Sequence, residues 1–448
     1  MNLYTLLQAK KEAGTPVRVG LIGTGKFSTM YLAQVRKVPG IHLVGVADLS
    51  RERALQAFAR TSWPAESIAA KTLEEAAKYG TTCILQDSME LIKSPVVDIL
   101  IEATGNPEIG IYHAMNCFAN KKHIIMVNVE ADVVAGPLLA AKAKEAGVVY
   151  SLAYGDQPAE ICEMVDWARA SGFEVVAAGK GTKYLPAYHK STPDTIWNYY
   201  GLTKEQAEKG GMNPKMFNSF LDGTKSAIEM AAVSNATGLQ CDPDGLKFPP
   251  CGADDLPKIL KPKSEGGQLH HSGQVEVISS VERDGRPVYR DLRWGVYVVI
   301  KGDSQYMMNC YKEYGMLTDD SGQYICLYRP YHMIGLELGI SVASIGVRNE
   351  PTGCPKAFHS DVVATAKRDL AAGETLDGEG GYTVYGKLMR ASDSLRLGGV
   401  PLGLCSNVKL IKPVKEGAPV CWSDIEYDST NYAIKVRKKM EALYAYTV

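Results

Sequence analysis

At 448 residues the chain is too long for one hydrophobic core, because single cores stop growing near roughly 250–300 residues, so two or three domains are expected. Its composition, 46% hydrophobic and 22% charged, excludes a disordered or fibrous chain. Lys plus Arg (49) nearly cancel Asp plus Glu (50), which removes the field that draws a protein to nucleic acid or an acidic membrane.

The N-terminal stretch Asn2-Leu3-Tyr4-Thr5-Leu6-Leu7 precedes Lys10 and Lys11, the reverse of signal-peptide order, and predicts a small amphipathic helix. The ten cysteines are scattered singly, as expected of buried thiols in a cytoplasmic protein. The longest apolar run, Met333 to Val347, is broken by Glu337 and falls short of the roughly 20 residues of a bilayer span, so no membrane crossing is expected.

From Val17 short β-branched runs alternate with helical patterns: Val17 to Ile22, His42 to Ala47, Val96 to Ala103, His123 to Asn128 and Val148 to Ala153. That alternation predicts parallel strands with crossover helices, an α/β fold with a Rossmann-type sheet. The first run enters Gly23-Thr24-Gly25-Lys26-Phe27-Ser28, after which Met30, Tyr31, Gln34 and Val35 recur at helical spacing. Gly23 permits a tight bend and Gly25 a close pyrophosphate, with the amides around Lys26 and Phe27 facing the phosphates. Ser28 stands where a third glycine is usual. Asp48 ends the second strand roughly 20 residues on, where an acid can bind adenosine ribose hydroxyls. Ser50, Arg51 and Arg53 follow and suit a 2′-phosphate instead, so NAD and NADP signals conflict locally. The strand ends Thr104-Gly105, Asn128-Val129-Glu130 and Asp156 complete the carboxyl edge where such sheets hold ligands, with Thr104 and Gly105 beside the nicotinamide ribose.

Beyond Ile161 the alternation weakens, and three polar clusters stand out. Gly179 to Lys190 carries Lys183 and Tyr184; Phe220 to Met230 carries Asp222, Lys225 and Glu229; Tyr328 to Ser341 carries Arg329 and His332 at the mouth of an apolar helix. The tail, Asp361 to Asp428, has turn-bounded short segments that predict small strands. The expected domains are 1–160, 161–355 and 356–448: a Rossmann sheet, an α+β substrate and dimerisation domain, and a small β-rich module. The apolar helices Ala227 to Val233 and Met333 to Val347 predict a homodimer.

A family resemblance rests on these residues. Strand, Glu102-Ala103-Thr104-Gly105, helix, strand and Asn128 resemble the nucleotide-binding half of homoserine dehydrogenases over the first third of the chain, and Gly223-Thr224 resembles that family's substrate segment. The tail resembles the SAF-type module of sialic acid synthases and antifreeze proteins. Taken whole, the chain resembles the 1-deoxy-D-xylulose 5-phosphate reductoisomerase-like family. That resemblance implies an NADPH-dependent enzyme that rearranges and reduces this phosphorylated sugar to 2-C-methyl-D-erythritol 4-phosphate, in isoprenoid precursor synthesis. On that reading Lys183, Lys225 and Arg329 anchor phosphate, and His332 and Tyr184 exchange protons. Asp156, Asp222 or Glu229 would hold Mg²⁺ or Mn²⁺. The alternatives are an NAD(P)-dependent dehydrogenase of a polyol, aldehyde or hydroxy acid, and a non-catalytic nucleotide or sugar sensor.

Overall fold

Six short runs, apolar because both faces are covered, form the parallel strands β1 (Val17–Ile22), β2 (Ile41–Ala47), β3 (Cys83–Leu85), β4 (Ile99–Glu102), β5 (His123–Met126) and β6 (Tyr150–Leu152). The computed structural model describes residues 2–209 and 212–445. It orders these strands 3-2-1-4-5-6, each parallel to its neighbour, as in a doubly wound dinucleotide-binding sheet. The expected α/β class and the five expected strands are present. β3 escaped the sequence pattern because three residues between two helices are too few to show a period.

The chain falls into two units, Met1–Glu160 with Met333–Pro355, and Ile161–His332 with Lys356–Val448. In the first unit the returning segment forms the helix Gly339–Arg348. It brings Leu338, Val342, Ala343 and Ile345 into one core with Val19 and Leu21 of β1 and Leu43 and Val46 of β2. The helix starts later than the apolar run, because Gly335 has φ +71° and interrupts the backbone beforehand.

The second unit is built on β7 (Glu174–Thr182), β8 (Gln274–Ser279), β9 (Val296–Lys301) and β10 (Tyr324–Arg329), in the order β10-β9-β7-β8. β8 runs parallel to β7; β9 and β10 pair antiparallel. Five further strands follow: β11 (Ser360–Ala366), β12 (Thr375–Asp377), β13 (Val384–Arg390), β14 (Ser406–Leu410) and β15 (Ile425–Glu426). They make one antiparallel pair, β11-β13, and one three-stranded sheet, β12-β14-β15. The helix Thr224–Thr237 packs on β7, β8, β11 and β13, and from Ser226 onward every residue of it is buried.

This corrects the ground on which a dimer was expected. Ala227 to Val233 and the buried residues of Gly339–Arg348 are covered inside their own units. Among the described residues no helix is long and apolar enough to cross a membrane.

Candidate functional site

The glycine turn after β1 has the geometry a dinucleotide requires. Gly23 sits at φ +91°, and a Cβ there would lie 2.7 Å from the carbonyl oxygen of Ala103, so only glycine fits. Gly25 opens the helix Lys26–Val35 with no side chain capping it. A Cβ built on Gly25 meets nothing within 4 Å, so the backbone there faces open space beside the first helical amides. Ser28 is fully buried at the position of the third glycine, and its hydroxyl has no partner. Lys26 is exposed and Phe27 packs against the core.

Asp48 is differently disposed from the expectation. Its carboxylate accepts from the Thr24 amide (2.9 Å) and hydroxyl (2.5 Å), the Ser50 amide (2.9 Å) and the Arg53 guanidinium (2.6 Å). Its side chain is 1% exposed, whereas that of Arg53 is 57% exposed. Burial raises the Asp48 pKa, but the bonds from Arg53 and Thr24 outweigh it and hold the carboxyl below its usual range. A carboxylate so occupied has little left for ribose hydroxyls, and the charge presented outward is Arg53's. Arg51 instead donates to the Ile84 carbonyl at 2.9 Å.

At the next strand ends, Glu102 is buried and accepts from the Thr104 hydroxyl (2.5 Å) and His113 (3.3 Å), while its second oxygen has no partner. Thr104 and Gly105 are exposed. Asn128 caps its helix through Ala131 (3.1 Å) and ties down the Asn106 carbonyl (2.8 Å), so its amide positions two loops. Glu130 follows in the first turn of that helix, half-buried.

In the second unit three of the expected polar residues gather at one end of the sheet. Lys183 follows β7 and donates to the Tyr199 carbonyl at 2.5 Å. Burial and then Arg293 lower its pKa. Arg293 lies 4.7 Å over the Trp294 ring, and His332 donates from Nδ1 to the Trp294 carbonyl at 2.7 Å. Arg329 ends β10 opposite Val296 of β9 and pairs with Glu163 at 3.3 Å. Lys225 lies in the first turn of Thr224–Thr237.

The proposed metal ligands are committed elsewhere. Asp222 pairs with Lys367 at 2.7 Å, and Glu229 pairs with Lys180, all four buried. Asp156 is buried and accepts from the Gln157 amide at 3.0 Å. Among the described residues no group of three or more His, Cys, Asp or Glu could hold a metal ion. A lysine already neutralises Asp222 and Glu229, which removes the charge that would draw Mg²⁺ or Mn²⁺.

Residues 17–154 match a family described as the GFO/IDH/MocA oxidoreductase family, NAD-binding Rossmann fold. The first unit carries an NAD-binding Rossmann fold. Residues 155–338 match a second description, oxidoreductase DRL, catalytic domain. These matches correct the resemblance to homoserine dehydrogenases and to the 1-deoxy-D-xylulose 5-phosphate reductoisomerase-like family. The motifs behind that resemblance were short strand ends common to many Rossmann sheets, and neither match reaches the tail, so its SAF-type likeness is without support. No curated protein matches the chain.

Among solved structures, a probable dehydrogenase from Thermotoga maritima is 17% identical, over 41% of this chain and 52% of its own, with a TM-score of 0.28. A myo-inositol dehydrogenase from Corynebacterium glutamicum is 11% identical, over 40% and 48%, with a TM-score of 0.28. A scyllo-inositol dehydrogenase from Lactobacillus casei is 9% identical, over 42% and 48%, with a TM-score of 0.27. The chain spans about half the length of these structures.

His189 and Arg293 are residues that sequence reasoning passed over. Arg53 was weighed beside Arg51, and only the structure shows which of the two meets Asp48. His189 lay inside the polar cluster Gly179 to Lys190; its partners, Tyr184 and the Asp222 carbonyl, come from two different segments.

Proposed function

We propose that the chain is an NAD(P)-dependent dehydrogenase acting on a small polyhydroxylated, anionic substrate, with NADPH the preferred cofactor. The observation that carries this reading is the backbone cradle at Gly23 and Gly25, which a side chain on Gly25 would fill and which lies within the match to an NAD-binding oxidoreductase domain. When bound, the nicotinamide would supply or accept the hydride. The chain's own contribution is to seat the pyrophosphate on the helix amides after Gly25, with Thr104 and Gly105 exposed at the neighbouring strand end.

The preference for NADPH rests on Arg53 in place of Arg51. With Asp48 saturated by Thr24, Ser50 and Arg53, the guanidinium is the outward group and suits a 2′-phosphate. Lys183, Arg293, Arg329 and His332 would attract the substrate's negative group, whether the phosphate of a sugar phosphate or a carboxylate. A homodimer belongs to the proposal on a new ground: β10 is an edge strand, and Leu327, Trp294 and Tyr331 beside it are exposed by 44%, 60% and 61%. Light scattering at micromolar concentration checks it, and the mass of a single chain contradicts it.

The test of function is a panel of polyols, aldehydes, hydroxy acids and sugar phosphates, followed by nicotinamide absorbance with each cofactor. Turnover of at least one compound supports the dehydrogenase. Cofactor binding with no turnover across the panel would favour a nucleotide sensor instead.

A further inference from the structure

Three side chains of the first unit, none used in the cofactor reading, form one hydrogen-bonded line. Ser88 opens the helix Ser88–Lys93 after β3, His113 lies midway along the helix Pro107–Ala119, and Glu102 ends β4. The two helices pack together, which brings the three side chains within reach. The Ser88 hydroxyl lies 2.8 Å from His113 Nε2, and His113 Nδ1 lies 3.3 Å from Glu102 Oε1.

Glu102 fixes the direction of these bonds. Its Oε1 accepts from the Thr104 amide at 3.3 Å and hydroxyl at 2.5 Å, so it faces His113 as an acceptor too, and Nδ1 carries the proton. Nε2 is then the lone-pair nitrogen, and the Ser88 hydroxyl donates to it. Hydroxyl to imidazole to carboxyl is the order in which a histidine takes the proton of an attacking serine while an acid holds the ring in the required tautomer.

A structural duty does not account for Ser88. Its helix is already capped by Asp87, which accepts from the Met89 amide at 2.8 Å, so the Ser88 hydroxyl is not needed as a cap. Burial falls toward the nucleophile: Glu102 and His113 are 0% and 5% exposed, Ser88 is half-buried, and Gln86 and Asp87 just before it are exposed. The flanking residues select the substrate. Asp87 and Glu90 make the surface around Ser88 acidic, which disfavours phosphate and sulfate esters. Ile109, one helical turn before His113 on the same face, and Tyr112, whose ring lies 6.1 Å from the imidazole, are each 42% exposed and offer apolar surface to an acyl group.

We infer that Ser88 is a nucleophile with His113 as its general base and Glu102 as the positioning residue, and that this site cleaves neutral carboxylic esters. The activity is separate from hydride transfer and does not rest on the dehydrogenase reading. Ser88 Oγ attacks the carbonyl carbon while its proton passes to His113 Nε2. The bond from that carbon to the alkoxy oxygen breaks, and the alcohol leaves with the proton. Water then attacks the acyl-serine, again losing a proton to His113, and releases the carboxylic acid and free Ser88. No electrons change hands, and water is the one co-reactant.

The experiment uses the full chain with p-nitrophenyl acetate as ester, p-nitrophenyl phosphate as anionic control and a fluorophosphonate as trap. The trap should attach to Ser88 in the wild-type chain, read by mass spectrometry after digestion. The acetate ester should be hydrolysed with a burst of about one nitrophenolate per chain, and the phosphate ester left intact. Ser88→Ala should remove both attachment and burst. His113→Gln should lower kcat about a hundredfold. Glu102→Gln should lower it about tenfold with KM little changed, the split expected of a group that acts through the imidazole.

No attachment at Ser88 in wild type overturns the inference, and that readout is independent of whether any variant folds. Hydrolysis at the wild-type rate in folded Ser88→Ala does the same. Attachment without hydrolysis overturns the hydrolytic role, and cleavage of the phosphate ester at a comparable rate overturns the substrate class. Each of these results leaves the dehydrogenase reading standing, because neither cofactor enters the assay.

Discussion

The two units balance their buried acids differently, with the Asp48–Arg53 pair an exception in the first and Glu276, held by backbone amides, an exception in the second. In the Rossmann unit Glu102 rests on a hydroxyl and an imidazole, and Asp132 on the Tyr150 hydroxyl at 2.7 Å, with no lysine or arginine bonded to either. In the second unit Asp222, Glu229, Asp319 and Asp361 are bonded to Lys367, Lys180, Lys261 and Arg437. Burial without a cation favours the protonated form of an acid, whereas a buried pair depends on both its partners. Burial accordingly pushes the Asp132 carboxyl up to about 7. The difference teaches where each unit is fragile and where its charge is available for chemistry.

The sharpest break of that contrast is Lys367→Met, which strands the Asp222 carboxylate at 0% exposure. Removing one partner of a buried pair costs about 3–5 kcal/mol, read from urea unfolding. Adding Asp222→Leu should restore most of the loss. At about pH 4, where Asp132 keeps its proton, Asp132→Asn in the Rossmann unit, which removes an acid with no cation bonded to it, should change stability far less. Equal losses at both positions would remove the distinction.

Next in size is Gly25→Val. The open space at this position lets the side chain fit the fold, so thermal stability should be unchanged. The same side chain occupies the pyrophosphate's approach, and NADPH affinity should fall about a hundredfold, or about 2.7 kcal/mol. Arg53→Ala should lower NADPH affinity by about tenfold and leave NADH nearly unaffected, whereas Arg51→Ala should treat the two cofactors alike. Equal losses of both cofactors at Arg53 would remove the 2′-phosphate assignment.

A pH dependence probes the same contrast. Asp132 rises from 3.8 to about 7 on folding, and Glu276 from 4.5 to about 7, both through burial. Between those values the native state binds more protons than the unfolded chain, so these groups cost stability as pH rises through that window. The stability of Asp132→Asn relative to wild type should therefore increase from about pH 4 to about pH 7. A flat difference across that range would contradict the buried, uncharged acid.

The Rossmann unit was legible because its signals are local. Strand, glycine turn and helix follow one another within Val17 to Val35, and periodicity alone places them. Asp48 was found but its role was not, because the groups that occupy it, Thr24 and Arg53, declare themselves only through geometry. The second unit resists such reading. His189, Gly223, Phe248 and Tyr385 line one pocket although each lies in a separate segment, and no spacing rule joins them. Family likeness failed for a related reason: Glu102-Ala103-Thr104-Gly105 and Asn128 are strand ends whose requirements come from the sheet, so they mark a fold and say little about a substrate.

Calorimetric titration of NADPH and NADH into the wild-type chain tests the central claim, that this is an NADP(H)-dependent oxidoreductase, most directly. One saturable site per chain is expected, with NADPH bound about tenfold or more tightly than NADH through Arg53. Saturation by neither cofactor, or tighter binding of NADH, would contradict it.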